Sequence, residues 1–185
     1  MDLFLSVLFI VILLPIGSLI AIAIKLESGG EGSIFYKHKR VGRNGKEFTC
    51  FKFRSMKIGS DPNILPTDKD DKRITKVGKF IRNTSLDEMP QLLNVLIGNM
   101  SFVGPRPALP SQVEKFSKKD FDKLLVKPGI TGWTQVNGRN SLEYEKRMEM
   151  DCWYAKNWNT FLDIMILLKT PTAIFKQEGI YDIPR

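Results

Sequence analysis

An uncharged apolar run near the start of the chain constrains the fold more than any other feature. Residues 3–24, LFLSVLFIVILLPIGSLIAIAI, contain no acidic or basic side chain. As a helix the run is roughly 33 Å long, enough to cross the hydrocarbon core of a bilayer. A signal peptide is the weaker interpretation, since Asp2 rather than a basic region precedes the run. The sequence therefore predicts a membrane segment, residues 1–24, that stays on the mature protein.

Pro15 leaves the topology of this segment open. A proline inside a helix removes one backbone hydrogen bond and clashes with the carbonyl group four residues earlier, here that of Val11. One alternative is a kinked helix that spans the bilayer, which the residues alone slightly favour. The other is a re-entrant hairpin that turns near Pro15 and leaves on the same side. Basic residues are frequent soon after the segment, so the positive-inside tendency predicts that residues 25–185 form a cytoplasmic domain.

The charge and the cysteine and histidine counts limit the function classes. The net charge of +8 requires an anionic partner: nucleic acid, an anionic membrane surface or a phosphorylated substrate. Only two cysteines occur, Cys50 and Cys152, which argues against a disulfide framework and fits a reducing compartment. Because His38 is the single histidine, a His/Cys metal cluster is excluded, and any metal would be a hard cation bound by oxygen.

The domain is predicted to be α/β and membrane-associated, mainly helical, with a small β-hairpin. Asn44-Gly45 lies between two β-prone arms, and alternation along the second arm places Lys52 and Arg54 on one face. A polar loop is predicted over residues 59–73, and residues 127–140 read as a loop-rich strand region. Helices are predicted over residues 74–85, 111–126, 141–157 and 160–176, the last of them apolar and interrupted by Pro171.

Aromatic residues suggest that part of this domain lies at the membrane surface. Trp133, Trp153, Tyr154 and Trp158 suit the boundary between membrane and water, where basic amphipathic helices also lie. For each of them, a place in the core is an equally good interpretation. Interfacial amphipathic helices are therefore part of the predicted fold.

An acidic pair, Asp87 and Glu88, heads the segment SLDEMPQLLNVLIGNM. Ser85 and Glu88 fit a capping box, but Pro90 favours a register in which Asp87 is the N-cap and the proline falls in the first turn. In that register the helix dipole keeps the Asp87 carboxylate ionised. The same geometry suits a cap and a nucleophile, and the pair taken alone favours the cap.

Basic side chains around the pair shift the balance toward an active site. Arg82 precedes it, Arg106 follows it between two prolines, Lys52 and Arg54 share the hairpin face, and Arg139 lies in the Gly-bracketed loop VNGRN. Planar guanidinium groups bind phosphate through two parallel hydrogen bonds, which suits a diphosphate substrate. An acidic pair among them is able to supply a nucleophile and a Mg²⁺ ligand, because the cation screens the repulsion between carboxylate and phosphate.

Four blocks, FKFRSM, RITKVGKFIRNTSLDEMPQLLNVLIGNMSFVGPRP, KPGITGWTQVNGRN and DCWYAKN, together resemble the bacterial sugar transferase family, the monotopic polyprenyl-phosphate phosphoglycosyl transferases. The resemblance covers nearly the whole chain in the right order. It implies transfer of a sugar-1-phosphate from a UDP-sugar to polyprenyl (undecaprenyl) phosphate through an aspartyl-phosphosugar, with release of UMP. It also implies a place at the cytoplasmic face of the bacterial inner membrane, at the first membrane step of glycan assembly.

The resemblance also implies roles for individual residues. Asp87 corresponds to the nucleophile and Glu88 to the carboxylate associated with Mg²⁺. Pro15 corresponds to the break of a re-entrant helix, although this chain has Leu14 where the family often has Ser, and this favours the hairpin over the span. The positions expected near the nucleotide and its phosphates are Lys52, Arg82, Arg106, Gln135 and Arg139.

Three rival functions remain. Water in place of the lipid acceptor would make the protein a hydrolase of nucleotide-sugar or lipid diphosphates. A non-catalytic membrane-bound assembly factor would use the basic face for anionic lipids. A nucleic-acid module is the weakest rival, since no such motif occurs and diphosphate and lipid head groups account for the charge. The sequence does not name the sugar, and the oligomeric state stays open, with a homodimer as one alternative.

Overall fold

The uncharged run forms one helix, α1 (Asp2–Glu27), in a computed structural model that describes residues 2–60 and 71–175. Pro15 lies inside α1, and residues on both sides of it belong to the same helix. Ser18 donates its hydroxyl to the carbonyl of Leu14 at 2.9 Å, within the turn that contains the proline. The helix is long and apolar enough to cross a membrane.

One side of α1 packs against the rest of the protein along nearly its whole length. Near its start, the ring of Phe9 lies 5.7 Å from that of Phe102. Near its end, Ile20 and Ile24 are buried together with Phe53 and Ile81. The opposite side exposes large apolar side chains: Leu3, Phe4, Val11, Ile12, Leu14, Leu19, Ile22 and Leu26.

The predicted hairpin is confirmed. Strands β1 (Phe35–Val41) and β2 (Glu47–Phe53) pair antiparallel, with His38 opposite Cys50. The connection is longer than a two-residue turn, because residues 42–46 form a loop with a short 3₁₀ turn. Asn44 and Gly45 take the positive φ angles in it, 58° and 75°.

A second, parallel pair of strands carries the glycine-rich motifs. It consists of β3 (Ser101–Val103) and β4 (Gly129–Thr131). A Cβ atom on Gly104 would lie 2.3 Å from the carbonyl oxygen of Lys127, and one on Gly129 would lie 2.1 Å from the nitrogen of Gly104. Only glycine allows these two backbones to approach so closely, and this contact fixes the start of the segment GPRP.

The remaining helices confirm some predictions and correct others. They are α2 (Lys76–Asn83), α3 (Gln91–Leu96), α4 (Pro110–Val113), α5 (Trp133–Val136), α6 (Tyr144–Asn157) and α7 (Thr160–Phe175). Helices within 74–85 and 141–157 are therefore confirmed. The interruption of the last helix at Pro171 is wrong, since α7 continues through it. The loop predicted over 59–73 falls largely outside the described residues.

The single amphipathic helix predicted over 111–126 is also wrong. The chain forms α4 and then a separate 3₁₀ helix, Asp120–Leu125. Between them, the Asp120 carboxylate accepts the backbone N–H of Ser117 at 2.8 Å, so that donor has a local partner other than a helical carbonyl. Leu124 is buried, whereas Phe121 and Leu125 are exposed.

The aromatic residues divide between the two interpretations left open. Tyr154 belongs to the core, where its hydroxyl donates to the Asp163 carboxylate at 2.6 Å. Trp153 and Trp158 are exposed, and they lie near the exposed apolar residues Phe161 and Leu168 in sequence. Trp153 and Trp158 are therefore accessible to a membrane surface, whereas Tyr154 is a core residue.

Asn94 ties α3 to β2 inside the main core. Its side chain is fully buried, its Oδ1 accepts the N–H of Phe51 at 3.0 Å and its Nδ2 donates to the carbonyl of Thr49 at 2.7 Å. Buried amides need such partners, so these two bonds fix the position of the helix against the strand. As a result, the acidic pair just before α3 faces Lys52 on β2.

Candidate active site

Asp87 and Glu88 lie in a 3₁₀ turn, Leu86–Glu88, between α2 and α3. Ser85 precedes the turn in the left-handed conformation, with φ of 58°, and donates its N–H to the carbonyl of Arg82 at 3.1 Å. A left-handed non-glycine residue costs about 1–2 kcal/mol. Such strain at the entry to an acidic turn is typical of functional sites.

Both predicted capping registers are wrong. Ser85 makes no side-chain capping bond, Asp87 lies inside the 3₁₀ turn, and α3 begins only at Gln91, after Pro90. The reason is that Ser85 takes a left-handed conformation after α2, and a separate 3₁₀ turn forms before the next helix. The dipole of α3 is therefore not what determines the ionisation of Asp87.

Glu88 is held by two cations. Its Oε1 accepts a hydrogen bond from Lys52 Nζ at 2.6 Å and from Arg106 Nη2 at 3.1 Å, and its side chain is 17% exposed. Burial alone would raise the pKa of this carboxyl, but Lys52 and Arg106 outweigh burial and hold the pKa well below its usual range. Glu88 is therefore a fixed anion.

Asp87 differs from its neighbour. Its carboxylate forms no hydrogen bond or ion pair with another residue of the described chain. Burial raises its pKa, the charge of Lys52 opposes that rise, and the adjacent Glu88 adds to it. The environments push the pKa values of two neighbouring carboxyls in opposite directions, which is a recurring sign of divided catalytic roles.

Arg106 is positioned by its flanking segment. The N–H of Gly104 donates to the carbonyl of Thr131 at 2.9 Å, and the N–H of Gly129 donates to that of Pro105 at 3.0 Å. On the other flank, Arg40 Nη1 donates to the carbonyl of Pro107 at 3.0 Å. The segment is therefore attached to β4 and to β1, and its arginine is held against Glu88.

Sequence reasoning missed two residues that line the site, His38 and Arg40 on β1. Arg40 Nε donates to His38 Nε2 at 3.1 Å, and burial followed by the charge of Arg40 lowers the pKa of His38 to about 3. The imidazole is therefore neutral and accepts a hydrogen bond. These two residues share a recess with seven others: Cys50, Lys52, Glu88, Gln91, Arg106, Pro107 and Gly129.

A signal for these residues was present in the sequence. Residues of β1 alternate between half-buried and exposed, and its pairing with β2 places Tyr36 opposite Lys52 and His38 opposite Cys50. The alternation that assigned Lys52 to one face of the second arm therefore also assigns His38 to the same face of the first. Gln91, by contrast, carried no comparable signal.

Of the other predicted basic residues, two interact electrostatically with the acidic pair and one does not. Arg82 acts electrostatically on Asp87, and Arg139 is coupled in the same way to Glu88 and Arg106. Arg139 has φ of 53°, a second strained residue at this site. Arg54 does not join them: its Nη2 donates to the backbone carbonyl of Glu31 at 3.1 Å.

Gln135 has the clearest unmet hydrogen-bonding capacity. It lies on α5, and both atoms of its side-chain amide, Oε1 and Nε2, are buried without a hydrogen-bond partner among residues 2–60 and 71–175. Buried polar atoms without partners are rare in proteins and call for an explanation such as an absent ligand.

The acidic pair fits a magnesium ion only in part. Within residues 2–60 and 71–175, no group of three or more His, Cys, Asp or Glu side chains is placed to hold a metal. Lys52 and Arg106 both use Oε1 of Glu88, however, which leaves its Oε2 available. Mg²⁺ is commonly held by one or two carboxylates together with substrate phosphates and water, so the pair fits an ion that is bound with a substrate.

Comparisons with known proteins consistently find sugar transferases. Residues 1–177 match the family described as bacterial sugar transferase. The undecaprenyl-phosphate galactose phosphotransferase of Salmonella typhimurium is 42% identical over 97% of this chain and 40% of its own length. The UDP-glucose:undecaprenyl-phosphate glucose-1-phosphate transferase of Escherichia coli is 40% identical over 97% of this chain and 40% of its own length.

A shorter relative matches over most of its own length. The exopolysaccharide production protein ExoY of Sinorhizobium fredii is 37% identical over 97% of this chain and 86% of its own length. By contrast, the chain spans about two fifths of the length of the Salmonella and Escherichia proteins.

Proposed function

Because the chain belongs to the bacterial sugar transferase family, we propose that it transfers a sugar-1-phosphate from a UDP-sugar to undecaprenyl phosphate or a similar polyprenyl phosphate. Its relatives carry names for this reaction with galactose and glucose donors. The product, a polyprenyl-diphosphate sugar, suits the start of a bacterial glycan.

The reaction proceeds in two displacements at one phosphorus atom. A carboxylate oxygen of Asp87 attacks the phosphate that carries the sugar, an O–P bond forms, and the bond to UMP breaks. An oxygen of polyprenyl phosphate then attacks the same phosphorus and displaces Asp87. Covalent catalysis divides one exchange between a soluble donor and a lipid acceptor into two easier steps.

The proposal is carried by one observation: the two neighbouring carboxylates differ in their hydrogen-bond partners. Glu88 is fixed by Lys52 and Arg106, whereas Asp87 has no partner in the described chain and is available to a substrate. A structural pair would use both carboxylates as caps or in ion pairs. The surrounding cations reduce the repulsion that an anionic nucleophile meets at a diphosphate.

We assign Mg²⁺ to Glu88, together with Asp87 and the donor phosphates. When bound, Mg²⁺ neutralises charge on the phosphates and on the leaving group. Lys52 and Arg106 orient Glu88 for this role, because both hydrogen bonds are made to the same carboxylate oxygen.

For the donor nucleotide we propose a place near Gln135 and Arg139. The unpartnered amide of Gln135 offers a donor and an acceptor, and Arg139 adds positive charge next to Arg106. A ligand bound here would satisfy the buried amide and bring its phosphates toward the acidic pair.

The packing of α1, a single helix through Pro15, supports insertion into one leaflet over a helix that spans the bilayer. Both halves of the helix, on either side of Pro15, contact the catalytic domain through Phe9 and through Ile20 and Ile24. A helix that crosses the bilayer would carry one half away from a domain on the cytoplasmic face. We propose that α1 enters one leaflet of the bacterial inner membrane, with residues 25–185 on the cytoplasmic side and exposed aromatic residues at the boundary.

The deciding experiment is mass spectrometry of the purified protein after incubation with Mg²⁺ and a panel of UDP-sugars, without lipid. We expect a sugar-phosphate mass on the peptide that contains Asp87. The adduct is absent in Asp87→Asn and present in Asp122→Asn, a control that removes a carboxylate from the 3₁₀ helix Asp120–Leu125. No adduct with any donor, combined with UMP release when lipid is added, would show direct transfer and overturn the role of Asp87.

Product analysis separates the rivals. A transferase forms the polyprenyl-diphosphate sugar only when polyprenyl phosphate is present. A hydrolase releases sugar phosphate with or without the lipid. An assembly factor gives neither product and tolerates Asp87→Asn.

A further inference from the structure

The end of the N-terminal helix is joined to the start of α2 by one carboxylate. Glu27, the last residue of α1, accepts the backbone N–H of Lys76 through Oε1 at 2.6 Å and that of Val77 through Oε2 at 3.1 Å. These are the first two amides of α2, which have no carbonyl partner within their own helix. One side chain therefore joins two helices that are distant in sequence.

The helix does not need Glu27 for an ordinary cap. Thr75 is its N-cap, and the Thr75 hydroxyl oxygen accepts the N–H of Gly78 at 2.9 Å. Glu27 binds the two amides that Thr75 leaves free, and its charge lies at the positive end of the α2 dipole. The interaction is therefore a link between elements, added to a helix that already has a local cap.

The other end of α2 leads directly into the acidic turn. Ile81 on this helix is fully buried beside Ile20 and Ile24 of α1, and Gly78 is pressed against the backbone of Ser55. After Asn83 the chain passes through the strained Ser85 into Leu86–Glu88. Because α2 is short and packed on both sides, a shift at its start is carried to the turn that contains Asp87.

We propose that Glu27 is a positioning residue that couples the end of the membrane-associated helix to the catalytic turn. This inference rests on the proposed function of Asp87. The carboxylate of Glu27 fixes the start of α2 relative to α1, and α2 in turn fixes the acidic pair relative to Lys52 and Arg106. The position of α1 in the membrane thereby sets the geometry of the active site.

Amide hydrogen exchange tests the coupling without any assay of activity. Glu27→Gln keeps one acceptor and removes the charge. Glu31→Gln is the matched control, because Glu31 follows Glu27 by four residues and only its backbone N–H and carbonyl are bonded in the described chain. We expect exchange over residues 76–89 to be about two- to fivefold faster in Glu27→Gln, the factor for a carboxylate at a helix N-terminus. An effect confined to residues 76–77, or equal in both variants, would overturn the proposal.

Kinetics test the consequence for catalysis. In Glu27→Gln we expect the rate of adduct formation to fall about tenfold, within the range that follows from a small misplacement of a reacting group, while KM for the UDP-sugar stays within about twofold. A general loss of folding would instead lower the melting temperature and the fraction of active protein. A rate equal to that of Glu31→Gln would contradict the inference.

The two measurements also separate this inference from the proposed function. If the unmodified protein forms no adduct, the proposed function fails, yet the exchange of residues 76–89 still decides whether Glu27 fixes the turn. If the adduct forms and exchange is unchanged by Glu27→Gln, the proposed function stands and the coupling is wrong.

Discussion

Lys52 Nζ lies 2.6 Å from Oε1 of Glu88, and the same ammonium group is the main charge that opposes the raised pKa of Asp87. One cation therefore fixes one carboxylate by a hydrogen bond and favours ionisation of the other through space. Since Glu88 has its negative charge compensated at short range, Asp87 meets less repulsion than two bare adjacent carboxylates would give.

Removing Lys52 is expected to move the pH dependence of the first half-reaction. In the proposed reaction Asp87 attacks as the anion, so we expect the rate to fall as the pH drops through its pKa, which burial places above the ordinary value of about 3.9. Lys52→Gln removes the main opposing charge, and the acid limb of the pH–rate profile shifts to higher pH. The measurement is the initial rate of adduct formation as a function of pH.

Arg54→Gln is the matched control, because Arg54 follows β2 but binds the carbonyl of Glu31. The pH–rate profile of Arg54→Gln should fall at the same acidic pH as that of the unmodified protein. His38 does not contribute a limb near neutral pH, because its pKa of about 3 leaves it neutral there. An unshifted limb in Lys52→Gln would contradict the assigned electrostatics.

Asn94→Ala should destabilise the fold strongly. It removes two hydrogen bonds and leaves the N–H of Phe51 and the carbonyl of Thr49 without partners in a buried region, at a cost of about 2–4 kcal/mol. Thermal unfolding in detergent measures the loss. Asn157→Ala, which removes an exposed amide that donates to the carbonyl of Trp153, is expected to stay within about 0.5 kcal/mol.

Gly104→Ala should destabilise the fold more than Gly17→Ala, although each substitution adds one methyl group. At Gly104 the new Cβ meets the backbone carbonyl of Lys127 at 2.3 Å, which has little freedom to move, and we expect a loss of about 1–3 kcal/mol and a displaced Arg106. At Gly17 its one close contact is the terminal methyl group of Met89 at 2.5 Å, which is able to rotate away, and Phe53 at 3.8 Å is an ordinary contact. Melting temperatures of the two variants compare the costs, and equal values would refute this account.

Arg139→Gly should separate strain from function. Glycine accepts the φ of 53° without strain, so stability should stay within about 1 kcal/mol. Loss of a charged phosphate donor should raise KM for the UDP-sugar about tenfold. Asn44→Gly, at φ of 58° in the hairpin loop, relieves similar strain away from the acidic pair and should leave KM unchanged.

Chelation of Mg²⁺ should abolish adduct formation in the unmodified protein. Within the described chain the acidic pair offers only two carboxylates, so a chelator should remove the ion readily. Adding back Mg²⁺ should restore the adduct, and Ca²⁺, which prefers more ligands at longer distances, should restore less. An adduct that forms at full rate with chelator present would remove the metal from the proposal. Mass spectrometry reports each condition directly.

Local patterns in the sequence were sufficient for several elements. The apolar run, the alternation of the hairpin arms and the charged helix over 141–157 each depend on neighbouring residues, and all three are present. The helix predicted over 111–126 failed because a single side chain, Asp120, provides a competing partner for the backbone at Ser117. Competition of this kind depends on geometry that a periodicity count does not contain.

The order of residues is enough to identify the candidate groups: an acidic pair, arginines in Gly- and Pro-rich segments and a helix suited to a membrane. How these groups interact follows from the packing of the fold. It bonded Lys52 and Arg106 to Glu88, gave the Asp87 carboxylate no hydrogen-bond partner among the described residues, placed Arg54 elsewhere, and added His38 and Arg40 to the site. The physical reason is that ionisation and hydrogen bonding depend on distances across the fold, and residues far apart in the chain, such as Lys52 and Glu88, acquire those distances only when strands and helices pack.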